Sequence, residues 1–371
     1  MLISDFRQRL RALGANPAHE SRVLRHWVRA LPLDAGRQPL QGWLPRAVMG
    51  ALPGLMTELD GLVALRSEHA GGDGQSARLL LGLNDGQTVE TVLLPRDGVC
   101  VSSQVGCAVG CRFCMTGVDG LIRQVGSAEI VAQVVLARRK NAKLKKVVFM
   151  GMGEPSHNLG AVLDAITLLG REGGFAHKQL VFSTVGDERA FAALNAAEVR
   201  PALALSLHTT DAAKRAELLP RAPRLAPDAL VEAADAYART SGYPIQYQWT
   251  LLDGVNDGPE ELDGIVRLLK GRYGLLNMIP FNSAEGLPFR RPSWERARAI
   301  AAEPIIVLPD EPTANLDSKA GAALMDMMKA MNERRGVTFV FSTHDPMVVE
   351  RARRVIRLRD GRIEADERRP P

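Results

Sequence analysis

Cysteine is scarce in this 371-residue chain: there are four, and all lie between positions 100 and 114. A disulfide framework spreads its cysteines along the chain, so that class is excluded and a metal or redox centre is indicated. Long apolar runs are missing as well. No stretch of about 18 apolar residues occurs, which argues against a helical membrane span. Met1-Leu2-Ile3-Ser4-Asp5-Phe6 lacks the cationic start and apolar core of a signal peptide. A cytoplasmic protein without a membrane partner is the expectation. With 46% hydrophobic and 24% charged residues, disorder is excluded too, and the length allows two or three domains.

The net charge of +5 is unevenly placed. Residues 351–371 hold eight Arg against four acids, and residues 1–50 hold eight Arg against three, with Trp27 and Trp43 among them. The stretch between carries the balance, a net of −4. The first 50 residues therefore read either as a basic module that meets a phosphate backbone or as a solvated helical face.

Phe6, Leu10 and Leu13, then Val23, Leu24 and Trp27, recur at helical spacing, with Asn16-Pro17 as the break. Residues 77–94 read as a hairpin: Leu79, Leu81 and Leu83 share a face, and Asn84-Asp85-Gly86 supplies the turn. From residue 99 the pattern alternates. Strand candidates 99–105, 145–151, 179–184, 201–207, 245–252 and 274–281 are separated by helical stretches 127–140, 158–171, 187–197, 225–241 and 258–271. Such repetition implies an α/β fold with a parallel sheet, either an open barrel or a doubly wound sheet. Beyond residue 300 the pattern restarts as a βαβαβ fragment: a strand at 305–311, a helix at 317–333, strands at 337–341 and 354–358. The expected division is 1–60 helical and basic, 61–98 hairpin, 99–300 core and 301–371 tail.

Cys107-Ala108-Val109-Gly110-Cys111-Arg112-Phe113-Cys114 is a C-x3-C-x2-C run directly after the first of these strands. Thiolates suit iron–sulfur clusters, and close spacing lets one loop hold three irons of a cubane, leaving the fourth open. A structural zinc site needs four ligands, and no His or fourth Cys follows at a suitable local spacing.

This run, with Phe113 before its last cysteine, resembles that of the radical S-adenosylmethionine (SAM) superfamily. The resemblance implies a partial (β/α)6 barrel with a 4Fe–4S cluster on Cys107, Cys111 and Cys114. The open iron would chelate SAM, whose cleavage gives a 5′-deoxyadenosyl radical. Over roughly residues 5–300 the chain further resembles the RlmN/Cfr-type RNA adenine-C2 methyltransferases. Cys100-Val101-Ser102-Ser103-Gln104-Val105-Gly106-Cys107 and Gly151-Met152-Gly153-Glu154-Pro155 carry that likeness. So do Phe182-Ser183-Thr184, Ser206-Leu207-His208 and Ile279-Pro280-Phe281-Asn282. By resemblance, Gly153, Glu154, Ser183, Ser206, Leu207, His208 and Asn282 contact the cofactor, Glu90 is an acid/base carboxylate, and Cys100 resolves a covalent protein–RNA adduct. The implied partners are RNA (23S ribosomal RNA, transfer RNA or both) and an electron donor such as flavodoxin or its reductase.

Two departures stand beside that likeness. The family carries its methyl group on a cysteine near its C-terminus, and this chain has no Cys after Cys114. One implied alternative therefore keeps the cluster and SAM cleavage but has lost methyl transfer. Residues 303–366 instead resemble the end of a lipoprotein-release-type ABC-transporter ATPase, with Asp310 and Glu311 closing a Walker B strand, Ala314-Asn315-Leu316-Asp317 as D-loop and His344 as switch histidine. No G-x-x-x-x-G-K-[ST] run exists anywhere in the chain, so ATP binding is not expected.

Overall fold

The computed structural model describes residues 1–32, 35, 42–284, 286–293, 296–297, 306–307, 318–335, 338–339, 341, 343, 345–359 and 362–368. The Asn16-Pro17 break separates α1 (Ile3–Ala12) from α2 (Pro17–Val28). Asn16 Oδ1 caps the second helix by accepting from the His19 N–H at 2.9 Å, and Pro17 sits in the first turn, where no N–H is needed. A third helix, α3 (Arg46–Asp60), buries Val48, Leu52, Leu55 and Leu59 along one stripe.

These helices spend most of their positive charge on the chain itself. Glu20, fully buried, accepts from Arg7 at 3.3 Å and from Arg11 at 2.5 Å. Arg9 grips Glu58 with two bonds of 2.6 and 2.7 Å, and Arg25 pairs with Glu172 at 2.8 Å. Arg29 donates to the Glu172 carbonyl at 2.7 Å, and Arg22 lies over the Trp43 ring.

The expected hairpin is β2 (Ala77–Leu83) with β3 (Thr88–Leu94), and Leu79, Leu81 and Leu83 all point inward. A strand absent from the sequence reading, β1 (Val63–Ala70), pairs antiparallel with β2. It escaped notice because only Val63 of its eight residues is buried, so it shows no alternation.

The first core strand splits in two. β4 (Gly98–Cys100) stays in the main sheet, while β5 (Gln104–Gly106) leaves it to pair with β6 (Leu121–Gln124). Then follow α4 (Ser127–Lys140), β7 (Lys146–Phe149), α5 (Leu159–Arg171), β8 (Leu180–Thr184), α6 (Glu188–Ala196), β9 (Ala202–Ser206), the unexpected α7 (Ala212–Leu218), α8 (Pro227–Ser241), β10 (Ile245–Leu251), α9 (Pro259–Leu269) and β11 (Gly274–Pro280). The sheet order is β1-β2-β3-β4-β7-β8-β9-β10-β11. Pairing is antiparallel through β3–β4 and parallel from β4 to β11.

That order settles the open choice between barrel and doubly wound sheet. A doubly wound sheet reverses direction at a switch point, whereas here each strand is laid beside its predecessor. Right-handed crossovers that all step the same way put every crossover helix on one face, leaving the other free for a site at the strand ends. Among the described residues β1 and β11 do not pair, so the barrel is partial.

The chain divides into two compact units, Met1–Pro292 and Ser293–Pro371. In the second, β12 (Ile306–Val307) and β13 (Thr338–Phe339) pair in parallel, and α10 (Ser318–Arg335) connects them. After α11 (Pro346–Arg351), β14 (Arg354–Arg359) turns back antiparallel onto β15 (Arg362–Arg368), so the last expected strand ends in a hairpin. Asp310, Glu311, residues 314–317 and His344 lie outside the described residues.

Candidate functional site

The segment that leaves β4 is zipped to the segment that leaves β7. Val101 donates to the Val148 carbonyl at 2.9 Å, and Ser103 and Gln104 both donate to the Met152 carbonyl at 2.9 and 3.1 Å. In return the Glu154 N–H donates to Gln104 Oε1 at 2.7 Å. Gly153 makes this approach possible: its φ is +105°, and a Cβ there would stand 2.6 Å from the Gln104 side chain.

The zip aims the next residues, 107–114, over the strand ends. Cys107 and Val109 pack with Val185 after β8, Leu252 after β10 and Phe281 after β11; Cys111 and Phe113 lie against the same group. Cys107 is buried, and Cys111 and Cys114 are half-buried. The loop closes on itself, the Cys114 N–H donating to the Cys111 carbonyl at 3.0 Å.

Burial pushes the Cys107 and Cys111 thiols up, and the charges of Glu154 and Cys114 push both further. Thiolates are thus costly here unless a cation joins them, which bound iron does. Among the described residues no three His, Cys, Asp or Glu side chains converge on the point a single metal ion would occupy. Three loop thiols are the donor set a cubane takes, one thiolate to each of three irons, whereas a closed zinc site needs a fourth ligand.

Glu154 is buried beside them. Its Oε1 accepts from the Ser156 N–H and its Oε2 from the Val185 N–H, both at 3.1 Å. Burial pushes its carboxyl up, against hydrogen bonds from Thr184, Ser156 and Val185 that pull down. The side chain therefore also ties the ends of β7 and β8 together.

His208 follows β9 with φ +64°, a conformation uncommon outside glycine. Its Nδ1 accepts from the Thr250 N–H at 3.0 Å, which leaves the proton on Nε2. Burial and the nearby Arg215 push it down to about 3, so the ring is neutral. It meets Phe113 of the thiol loop edge-on at 4.8 Å.

Ser183 and Ser206 are half-buried at the ends of β8 and β9, and Leu207 is fully buried with its N–H on the Gln248 carbonyl at 3.1 Å. Asn282 is exposed just past β11. The two remaining expected residues lie apart from the thiols. Cys100 packs with Val148, Val181, Ala202 and Ala204 in a separate apolar group, and burial pushes its thiol up to about 12. The Glu90 carboxylate pairs with Arg78 at 3.1 Å, although its carbonyl accepts from Ser102 Oγ at 2.5 Å and so braces the zip.

Three polar residues of the site escaped the sequence reading. Arg215, 3% exposed, donates to the carbonyls of Val185 (2.5 Å) and Ser206 (2.9 Å), within electrostatic reach of Cys111 and Glu154. Asn256 donates to the His208 carbonyl at 2.6 Å and accepts from the Leu252 N–H at 2.8 Å. Glu261 gathers Thr209, Thr210 and Lys214 within 2.8 Å. The turn-rich run Gly254-Val255-Asn256-Asp257-Gly258 was the available signal for Asn256; the other two sit within helices and look like surface charges.

A singly wound parallel sheet with three loop thiols over its strand ends defines the class, a radical SAM protein. Comparison with known proteins agrees. Residues 101–269 match the model of the radical SAM superfamily. A probable RNA methyltransferase of Leptothrix cholodnii is 65% identical over 301 residues, which cover 81% of this chain and 86% of that one. One of Aromatoleum aromaticum is 66% identical over 301 residues, covering 81% and 84%. The crystal structure of a radical SAM methyltransferase from Sphaerobacter thermophilus superposes with a TM-score of 0.69 at 29% identity, covering 92% of this chain and 93% of that one. The chain belongs to the radical SAM superfamily, in one family with these relatives. Its cofactors are a 4Fe–4S cluster and SAM. The likeness of residues 303–366 to an ABC-transporter ATPase is not supported.

Proposed function

We propose that this chain is a radical SAM RNA methyltransferase acting on carbon 2 of an adenine, in 23S ribosomal RNA, transfer RNA or both. The observation that carries the reading is the thiol loop over the strand ends beside Glu154 and His208, in a chain 65% identical to a protein named a probable RNA methyltransferase. When bound, the cluster and SAM supply radical chemistry, which an electron-poor ring carbon between two nitrogens needs.

The chain's own residues bind, orient and exclude water. Cys107, Cys111 and Cys114 would hold three irons of the cluster, and Gly153, Glu154, Ser183, Ser206, Leu207, His208 and Asn282 would hold SAM. His208 presents Nε2–H from a ring that stays neutral. In this reading residues 99–300 are the catalytic core, following the helical segment 1–60 and the hairpin 61–98 in the chain, and an electron donor such as flavodoxin or its reductase supplies the electron.

The test is anaerobic reconstitution followed by incubation with SAM, a reductant and RNA, with nucleosides read by mass spectrometry. 2-Methyladenosine is the expected product. A second reading rests on the absence of any Cys after Cys114: SAM is cleaved but no methyl group is transferred. It predicts 5′-deoxyadenosine without 2-methyladenosine in the same assay, and failure of both products overturns the function.

A further inference from the structure

The loop that carries the thiols is clamped to the segment after α7. Arg112 donates its N–H to the Leu218 carbonyl at 3.0 Å, and Arg221 donates its N–H to the Val109 carbonyl at 3.3 Å. Residues 107–114 and 218–225 therefore form one ledge beside the cluster position. Three arginines stand on it: Arg112 from the thiol loop, and Arg221 and Arg224 from Pro220-Arg221-Ala222-Pro223-Arg224. The two prolines preset the backbone between them.

All three are at least partly exposed, and among the described residues none has a carboxylate partner. Neither segment of the ledge contains an acidic residue. The Arg221 guanidinium lies across Gly110, where a Cβ would stand 2.5 Å from its Nη2. Gly110 (φ +64°) both turns the loop and makes room for that charge. Beyond Cys114 the rim stays open, with Met115 53% and Val118 61% exposed.

Elsewhere the chain does pair exposed arginines with carboxylates: Arg7, Arg9, Arg11 and Arg25 are each paired, and Arg123 on β6 holds both Asp85 and Glu129. We propose that Arg112, Arg221 and Arg224 form a phosphate clamp that seats the RNA backbone against the rim of the cluster pocket. The planar guanidinium fork matches phosphate oxygens two at a time, which a lysine ammonium does not. The clamp rests on the RNA-methyltransferase reading and deepens it, since it says which surface meets the RNA.

The test uses the reconstituted full chain and a fluorescent transfer RNA. Affinity is read by anisotropy across a potassium chloride series, alongside iron content and SAM affinity. Arg221→Gln with Arg224→Gln should weaken RNA binding roughly tenfold at about 0.1 M salt. The slope of log K against log salt should fall by about 1.4 to 1.8, the share of two phosphate contacts. Arg221→Lys with Arg224→Lys keeps the charge and should keep most of the slope.

Unchanged affinity and slope in the Gln variant overturn the clamp. So does loss of iron together with RNA binding that the Lys variant fails to restore, which makes the segment a structural brace. Normal RNA binding with slowed reduction by an acidic electron-transfer protein also overturns it and gives the ledge to a redox partner. A wild-type chain that binds no RNA sinks the function reading itself, which is a different result from any of these.

Discussion

The N-terminal helices and the thiol-loop ledge both carry arginines, but they use them in opposite ways. In the helices Arg7 and Arg11 surround the buried Glu20, Arg9 holds Glu58, and Arg25 reaches Glu172 at the end of α5. Their charge is consumed in joining α1 and α2 to each other and to the barrel. On the ledge, Arg112, Arg221 and Arg224 have no such partners among the described residues. The region that looks basic in the sequence spends four of its eight arginines on carboxylates of the fold, while a stretch from the net-acidic middle of the chain carries three that have none among the described residues. Net charge by segment is a poor guide to where unpaired charge ends up, because folding decides which charges meet.

The largest expected effect separates the two regions outright. Cys111→Ala should abolish iron uptake, about four irons per chain in the reconstituted wild type, and with it 5′-deoxyadenosine formation. Far-UV circular dichroism should hardly change, because the helices do not depend on the loop. A Cys111→Ala chain that still binds a full cluster removes the ligand assignment, and one that unfolds ties the regions together.

Next is pH. His208 is neutral in the fold, pushed down to about 3 from the ordinary 6.5. Below pH 6.5 the unfolded chain takes up a proton that the folded chain refuses, so this contribution is complete above 6.5 and is lost as pH falls toward 3. The urea midpoint of the wild type should drop across that window more steeply than that of His208→Asn. Parallel curves in the two proteins count against a buried neutral ring.

A smaller effect probes the helices. Glu20→Ala removes the acceptor of Arg7 and Arg11 and should cost about 2 kcal/mol in urea unfolding. Transfer RNA affinity should stay within about twofold of wild type. A loss as large as that of the Arg221 and Arg224 variant breaks the contrast between the regions.

The smallest expected effect is none. ATP should not shift the melting temperature, since no glycine-rich loop with its lysine is present to cradle phosphates. Isothermal titration with ATP and magnesium checks this. Saturable binding shows that the unpaired arginines accept any polyphosphate and weakens their assignment to RNA.

By itself the sequence determined the thiol triad, the alternation of strands and helices, and the local stops and starts. Cys107, Cys111 and Cys114 are a few residues apart, Asn16 caps its own helix, and the apolar period of 158–171 is visible within one window. Local signals of this kind need no partner from elsewhere. Only the tertiary structure decided that 99–105 splits between two sheets, that β1 extends the meander, and that Cys100 lies in a different apolar group from the other thiols. It also decided that Arg215 is buried against the carbonyls of Val185 and Ser206 while Arg221 lies open across Gly110. The two are six positions apart and chemically identical in the sequence. What distinguishes them is the neighbour each meets after folding, as when Arg25 finds a carboxylate 147 residues away. Pairing and burial of a charge are properties of the packed chain, because both depend on groups that the sequence order does not bring together.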